Sequence, residues 1–166
     1  MSFKEIDAKQ IKENPVSMFD SRWALITAGN EEKCNTMTAS WGALGELWNN
    51  DVCIVFIRKS RYTKEFVDAA EKFTVSILPE EYRSALALCG KESGRDCDKF
   101  KKAGLTPLFV DGTAAVNEAD TVFVCKKLSA TDILPDSFLD PSVSACYPSD
   151  DYHTMYVGKI EKVLVK

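Results

Sequence analysis

The sequence contains a single histidine, and no two of its six cysteines stand at the C-x-x-C spacing of zinc sites and redox dithiols. It also lacks an apolar N-terminal segment of the kind that directs export, since charged residues begin at the fourth position. The longest apolar run, residues 52–57, is six residues long and too short to cross a membrane. We therefore expect no metal site, disulfide framework, secretion or membrane insertion, and a cytoplasmic location.

Neither sign of charge dominates the chain. It has 21 Lys and Arg residues against 25 Asp and Glu residues, a net charge of −4, and hence no general attraction for nucleic acid or anionic membranes. Basic residues therefore matter only where they cluster locally. With 166 residues and 45% hydrophobic content, the chain is large enough for one core. No repeat or linker divides it, so a single domain over residues 1–166 is predicted.

Residues 35–42, N-T-M-T-A-S-W-G, are rich in hydrogen-bonding side chains. Thr36, Thr38 and Ser40 alternate with apolar residues, so in a strand they share one face. This pattern favours a strand with one buried face and one face suited to a flat, heteroatom-rich ligand with an anionic tail. The alternative that this segment leaves open is a Thr/Ser-rich surface strand.

Residues 58–63, R-K-S-R-Y-T, place three cations and two aliphatic hydroxyls in the turn before a predicted helix at 64–71. Thr63 is a candidate N-cap for that helix. Backbone N–H groups and the helix dipole favour negative charge at such a position, and arginine adds a planar fork that matches phosphate oxygens. The segment predicts either a phosphate site or a solvated basic turn.

The remaining pattern is mainly β. The short helices are predicted at 7–14 (ended by Pro15), 64–71, 80–88 (stopped by Gly90) and from a cap at Asp96 to Gly104. An Asp-Gly pair predicts a hairpin over 107–116, and 44–50 and 130–147 are expected to be irregular. The six longer strands are predicted at 22–28, 35–41, 51–57 (buried on both faces), 72–78, 121–129 and 153–165. This inventory favours a small closed β-barrel with short helices over a βαβ sheet.

Four sequence blocks together resemble one known family. They are N-T-M-T-A-S-W-G, R-K-S-R-Y-T, C-G-K-E-S-G-R-D-C-D-K-F and Y-H-T-M-Y-V-G-K-I, which lie between residues 35 and 160, and the resemblance covers roughly residues 20–165. In this order they resemble the flavin reductase-like FMN-binding proteins of the flavoredoxin type. The resemblance implies a six-stranded FMN-binding split β-barrel, and a homodimer with flavin sites near the subunit interface. A small barrel has little depth for a three-ring ligand, so Trp23, Trp41 or Trp48 is expected to help wall the pocket at that interface.

The resemblance also implies a set of cofactor-binding residues in three groups. One group lies along the isoalloxazine ring and ribityl chain: Asn35, Thr36, Met37, Thr38, Ala39, Ser40 and Trp41. A second group holds the FMN phosphate, in agreement with the basic turn: Arg58, Ser60, Arg61 and Thr63. A third group forms a loop beside the flavin: Cys89, Gly90, Ser93, Gly94, Arg95 and Lys99.

The sequence leaves more than one interpretation open for some of the cysteines and for the histidine. Cys53 and Cys125 lie in apolar runs and are predicted core residues. Cys89 is either a buried helix residue or part of the flavin loop, and Cys97 is expected to be structural, because a reactive thiol needs an exposed electropositive site. His153 is a candidate to face the nicotinamide or substrate. As a lone histidine beside two aspartates, it also fits a solvated surface position.

Three functions follow from the sequence and the resemblance. A flavin accepts a hydride and returns electrons, so the protein has chiefly to bind it and expose one face, without a nucleophile or general base of its own. The first function is an NAD(P)H-dependent flavin reductase that uses FMN and NADH or NADPH. The second is a non-enzymatic FMN electron carrier fed by a redox protein partner. The third is a barrel that no longer binds flavin.

Overall fold

The structure is a computed structural model that describes residues 2–166, and its main feature is one eight-stranded antiparallel sheet. The strands are paired in the order β3-β2-β6-β9-β10-β5-β4, with β1 added beside β10, while β7 and β8 form a separate hairpin. Their bounds are β1 (Lys4–Ile6), β2 (Ala24–Gly29), β3 (Cys34–Ala39), β4 (Gly42–Leu47), β5 (Asn50–Arg58), β6 (Lys72–Ile77), β7 (Pro107–Val110), β8 (Thr113–Val116), β9 (Thr121–Asp132) and β10 (His153–Val165).

The helices are short and lie in the connections between strands. The α-helices are α1 (Pro15–Ser17), which runs directly into a π-helical turn (Met18–Arg22), α2 (Tyr62–Ala69), α3 (Arg83–Lys91) and α4 (Lys99–Ala103). The 3₁₀-helices are Ala8–Gln10, Glu80–Tyr82, Pro135–Ser137 and Pro141–Cys146. Within residues 2–166, none of the helices has the length and apolar character needed to cross a membrane.

The sheet curls into a barrel that stays open. β3 and β4 stand at the two ends of the pairing order and do not pair with each other, although β3 approaches β5. The mainly β prediction and the split barrel implied by the resemblance are thus confirmed, while the small closed barrel that the strand inventory favoured is corrected to an open one. The sheet has eight strands rather than six, since β1 and β4 were not expected.

Two apolar clusters fill the two sides of the sheet. One lies inside the barrel and includes Phe73, Cys53 and Cys125, which confirms the two cysteines as core residues. The other lies beneath α3 and α4. Gly158 in β10 permits close packing in the first cluster, because a Cβ at this position would stand 2.6 Å from the Phe73 ring and 2.8 Å from the Cys125 Cβ.

Several local predictions are corrected by the structure. Pro15 begins α1 instead of ending a helix, because its fixed φ suits the first turn and Asn14 caps it. Residues 44–50 were expected to be irregular, but 44–47 belong to β4 because β5 supplies a pairing partner. The predicted strand at 51–57 is not buried on both faces, since buried and half-buried residues alternate from Cys53 to Ile57.

The predicted helix ends also shift. Gly90 lies within α3 instead of stopping it, and the helix runs to Lys91. Asp98 caps α4 in place of Asp96, while Gly104 ends that helix in the left-handed conformation as expected. The N-cap of α2 is Arg61. Thr63, the predicted cap, is instead a buried residue inside the first turn.

Candidate functional site

A cavity of about 230 Å³ lies where the end of β3 meets β5 and the start of β10. We call it the β3 cavity. Nine of its ten lining residues belong to the candidate site defined from the sequence, and Phe56 is the addition. The lining residues are Met37, Thr38, Ala39, Ser40, Trp41, Phe56, Arg58, Arg61, Gly90 and His153.

Strand register brings the parts of the β3 cavity together. β10 pairs antiparallel with β5 so that His153 lies opposite Arg58 and Met155 opposite Phe56. The His153 ring lies 4.9 Å from that of Trp41 and 6.5 Å from that of Phe56, measured between centroids. These three rings form an aromatic wall, a surface suited to a flat conjugated ligand.

His153 is a buried residue with 7% of its surface exposed, so the solvated-surface interpretation is wrong. Its Nδ1 atom and the Tyr147 hydroxyl are 2.9 Å apart and form a hydrogen bond. Burial, together with the positive charge of Arg58, lowers the pKa of His153 to about 4. The ring is therefore neutral at pH 7 and contributes a polar, uncharged surface to the cavity.

Two guanidinium groups reach the β3 cavity, and both are held by backbone carbonyls. Arg58 donates to the carbonyls of Asp151 (2.8 Å) and Cys146 (3.1 Å). Arg61 donates to the carbonyls of Gly90 (2.8 Å) and Cys89 (3.1 Å), at the C-terminal end of α3. Burial lowers the pKa of Arg61, although arginine stays charged at any ordinary pH. Both cations favour an anionic ligand.

Ser60, a predicted phosphate ligand, has its polar groups engaged by the protein. Its backbone N–H donates to Asp151 Oδ1 at 3.1 Å, and its hydroxyl donates to Asp151 Oδ2. Thr63 is buried, and its hydroxyl accepts a hydrogen bond from the Asn35 side chain at 2.9 Å. Neither residue lines the β3 cavity, so its polar lining on this side comes from Arg58 and Arg61.

Lys99 is only 3% exposed. Its Nζ donates to the carbonyls of Thr36 (3.0 Å) and Cys89 (2.8 Å). Burial, with help from the charge of Arg61, lowers its pKa to about 8. Lys99 thus links α4 to β3 and to the end of α3.

Four predicted residues line a second, larger cavity of about 710 Å³ beside α4, which we call the α4 cavity. These residues are Asn35, Gly94, Arg95 and Lys99. Five others line neither cavity: Thr36, Ser60, Thr63, Cys89 and Ser93. The cofactor loop that the resemblance implies is therefore divided, with Gly90 at the β3 cavity and Gly94 at the other.

The polar face of β3 is largely turned into the protein. The Thr36 hydroxyl is fully buried, 2.8 Å from that of Thr27, and Thr38 donates to the Leu86 carbonyl. α2 and α3 both pack against this strand. The idea of a free hydroxyl face on β3 is therefore corrected, and the cavity is lined instead by consecutive residues near the end of the strand.

The cysteine thiols contribute little to the site. Cys89 is buried in α3, and burial raises the pKa of its thiol to about 11, so it stays protonated. Cys97 is half-buried, and its thiol donates to the Ser93 carbonyl. Among residues 2–166 the cysteines are free thiols, and no cluster of His, Cys, Asp and Glu is suited to a metal ion.

The residues of the β3 cavity fit FMN by their chemistry. An aromatic wall suits a conjugated ring system, and guanidinium groups suit a phosphate.

Of the three tryptophans expected as walls, only Trp41 lines the cavity, since Trp23 stacks beneath Arg83 and Trp48 projects from the β4–β5 turn. Two residues of the site were not predicted from the sequence. Phe56, which lines the cavity, stands in an apolar run that resembled core. Tyr147, which hydrogen-bonds His153, lies in a stretch without a periodic pattern.

The depressed pKa of His153 makes a testable difference to stability. The pKa is about 4 in the folded protein against 6.5 for the free side chain, so protonation favours the unfolded chain. We expect the free energy of unfolding to fall as the pH drops from 6.5 towards 4, by at most about 1.4 kcal/mol per pH unit from this group. The His153→Gln variant should lose less stability than the wild type between pH 7 and pH 5 in urea denaturation. A histidine NMR titration centred near 6.5 in the folded protein would contradict this expectation.

Comparison with known proteins gives one family and several similar structures. The model of the flavin reductase like domain matches residues 16–166. A search of curated proteins found no match. Flavoredoxin of Desulfovibrio vulgaris (Miyazaki F) has a TM-score of 0.69 and 22% identity, covering 98% of this chain and 77% of that one. Flavoredoxin from Methanosarcina acetivorans has a TM-score of 0.69 and 19% identity, covering 96% and 76%.

An NADH:FAD oxidoreductase from Streptomyces globisporus C-1027, in complex with NAD and FAD fragments, is also similar. It has a TM-score of 0.65 and 14% identity, covering 87% of this chain and 75% of that one. At these identities the structures establish the fold alone. The family model spans nearly the whole chain, and on that evidence the protein belongs to the family of flavin reductase-like domains.

Proposed function

We propose that the chain binds FMN in the β3 cavity and acts as an NAD(P)H-dependent flavin reductase. The observation that carries the proposal is the convergence of three separate sequence blocks on one cavity. The end of β3, the turn after β5 and the start of β10 meet there with an aromatic wall and two guanidinium groups. Each part matches one feature of FMN, namely its conjugated ring or its phosphate.

The roles of the residues follow from their chemistry. Arg58 and Arg61 are the candidates to hold the phosphate, as charge-assisted donors. Trp41, Phe56 and the neutral His153 would pack against the ring system and exclude water from it. When bound, FMN would supply hydride acceptance and one- or two-electron transfer. The nearby cations would favour the negative charge that the ring system gains on reduction.

A non-enzymatic electron carrier is the second candidate. The two flavoredoxins among the structural neighbours support it at the level of fold. In that case a redox protein partner, instead of NADH or NADPH, would deliver the electrons. The binding site for FMN would be the same, so the two candidates differ only in the electron donor.

The visible absorption spectrum of the purified protein tests flavin binding and separates the candidates. We expect flavin absorption bands that remain with the protein after gel filtration. Anaerobic addition of NADH or NADPH should bleach these bands within seconds to minutes if the chain is a reductase. Flavin that both nucleotides leave oxidised, but dithionite bleaches, would favour the carrier. A protein that takes up no flavin when FMN is added would refute both.

Arg61 provides a sharper test, because FMN and riboflavin differ only in the phosphate. A hydrogen bond to a charged group contributes about 1.5–3 kcal/mol, and about 1.4 kcal/mol is tenfold in affinity. We therefore expect Arg61→Ala to weaken FMN binding by roughly ten- to a hundredfold, with little change for riboflavin. Fluorescence quenching titrations measure both affinities.

Lys59→Ala is the matched control for Arg61→Ala. It removes one positive charge from the same turn, but Lys59 pairs with Asp132 and does not line the β3 cavity. Both FMN and riboflavin affinities should stay nearly unchanged in this variant. Because Arg61 also binds the end of α3, urea denaturation must show that the variant is folded. Equal losses for FMN and riboflavin in Arg61→Ala would remove the phosphate assignment.

We further propose that a second copy of the chain covers β4. This strand ends the sheet, and the tryptophans that flank it, Trp41 and Trp48, are 41% and 57% exposed. An open strand edge beside large apolar side chains is typical of an interface. Since Trp41 also lines the β3 cavity, the dimer would lie against the flavin site.

Sedimentation equilibrium tests the dimer. The wild type should have twice the chain mass of 18.5 kDa at micromolar concentration. Trp48→Lys should shift it towards the monomer and weaken FMN binding. Leu139→Lys, which alters a 99% exposed leucine outside β4, serves as the control and should leave the mass unchanged. A wild-type monomer that retains its flavin would contradict the proposal.

A further inference from the structure

Asp151 supplies an internal anion to the turn that was predicted to bind phosphate. Both of its carboxylate oxygens are used: one accepts from the Ser60 backbone N–H at 3.1 Å and the other from the Ser60 hydroxyl. Ser60 immediately precedes Arg61, the N-cap of α2, whose N-terminal end favours negative charge. The carboxylate therefore accepts from donors that suit an anionic ligand.

The surroundings of Ser60 are strongly basic. Arg95 donates to the Ser60 carbonyl at 3.2 Å, and Arg58 donates to the Asp151 carbonyl at 2.8 Å. Arg61 follows directly in the chain. The Arg95 guanidinium also pairs with the carboxylate of Glu65, so Arg58 and Arg61 are the cations near this contact that have no carboxylate partner of their own among residues 2–166. Asp151 is half-exposed, so its side chain can move into water, but this movement breaks both hydrogen bonds to Ser60.

A phosphate group and the Asp151 carboxylate need the same donors. Two anions cannot share the Ser60 N–H and hydroxyl, because each donor hydrogen serves one acceptor and like charges at this distance repel. A ligand whose phosphate binds Ser60 must displace Asp151, whereas a ligand without a phosphate does not compete for these groups. The contact therefore lowers the affinity for the phosphorylated ligand alone.

We propose that Asp151 is a specificity-determining residue that competes with the ligand's phosphate for Ser60 and so limits the preference of the site for FMN over riboflavin. This inference rests on the proposed function, in which Arg58 and Arg61 hold the phosphate of FMN in the β3 cavity. Ser60 lies between these two residues in the chain and outside the cavity lining, and it would join them as a phosphate donor once Asp151 is displaced. The inference goes further in assigning a role to an acidic residue that the sequence did not single out. Its consequence is that removing the negative charge of Asp151 strengthens FMN binding.

Asp151→Asn tests the competition. The amide keeps the shape of the side chain and one acceptor oxygen but loses the charge, so we expect FMN affinity to rise by about tenfold. Riboflavin affinity should change less than twofold. Asp150→Asn is the matched control: it removes the same charge one residue away, where Asp150 accepts from the Tyr152 hydroxyl and does not contact Ser60. That variant should leave the ratio of FMN to riboflavin affinity unchanged.

Inorganic phosphate provides a readout that does not depend on flavin. We expect it to raise the Tm of Asp151→Asn more than that of the wild type or Asp150→Asn, because the donors of Ser60 are then open to it. The inference is overturned if Asp151→Asn leaves FMN binding unchanged or weaker, or strengthens FMN and riboflavin equally. If no variant binds flavin but phosphate stabilises Asp151→Asn selectively, the proposed function fails while the competition stands. If no variant binds flavin and phosphate stabilises none of them, the proposed function and the competition at Ser60 both fail.

Discussion

The carbonyl of Cys89 accepts hydrogen bonds from two cations, the half-buried Arg61 and the buried Lys99, and the site depends on this contact. Arg61 reaches it from the start of α2 at 3.1 Å, and Lys99 reaches it from α4 at 2.8 Å. A desolvated cation is costly unless it is hydrogen-bonded, and among these contacts no carboxylate takes part. The partial negative charge at the C-terminal end of α3 supplies the compensation. α2, α3 and α4 are thereby joined at one point beside β3, to which Lys99 also binds through Thr36.

The same contact explains the electrostatics of the β3 cavity. Arg61 is held so that it lines the cavity without a neutralising acid, and Arg58 is held in a similar way by carbonyls of residues 146 and 151. The positive charge of Arg58 adds to burial in lowering the pKa of His153 and keeping its ring neutral. The cavity therefore presents fixed positive charge beside an uncharged aromatic wall. This combination suits a ligand that is flat at one end and anionic at the other.

Much of the candidate site could be predicted because its parts are local motifs. The hydroxyl-rich β3, the basic turn before α2 and the last strand are each visible within a few residues, and nine predicted residues meet at one cavity. Other elements have no such local signal. β4 exists because β5 pairs with it, although its own sequence contains Gly45. Phe56 has the same apolar character as its buried neighbours, so its position in the cavity wall depends on which way the strand faces.

By itself the sequence determined the residue types and their local spacing: the alternation of β3, the cation cluster, the Asp-Gly hairpin and the family to which these blocks belong. Period and turn chemistry act over a few residues, and they can be recognised without knowing the fold. Only the tertiary structure decided that His153 is buried and neutral, that Lys99 binds two backbone carbonyls, and that Asp151 meets Ser60 across 91 residues of chain. Those outcomes depend on which distant segments pack together, because burial and hydrogen-bond partners are properties of the assembled core.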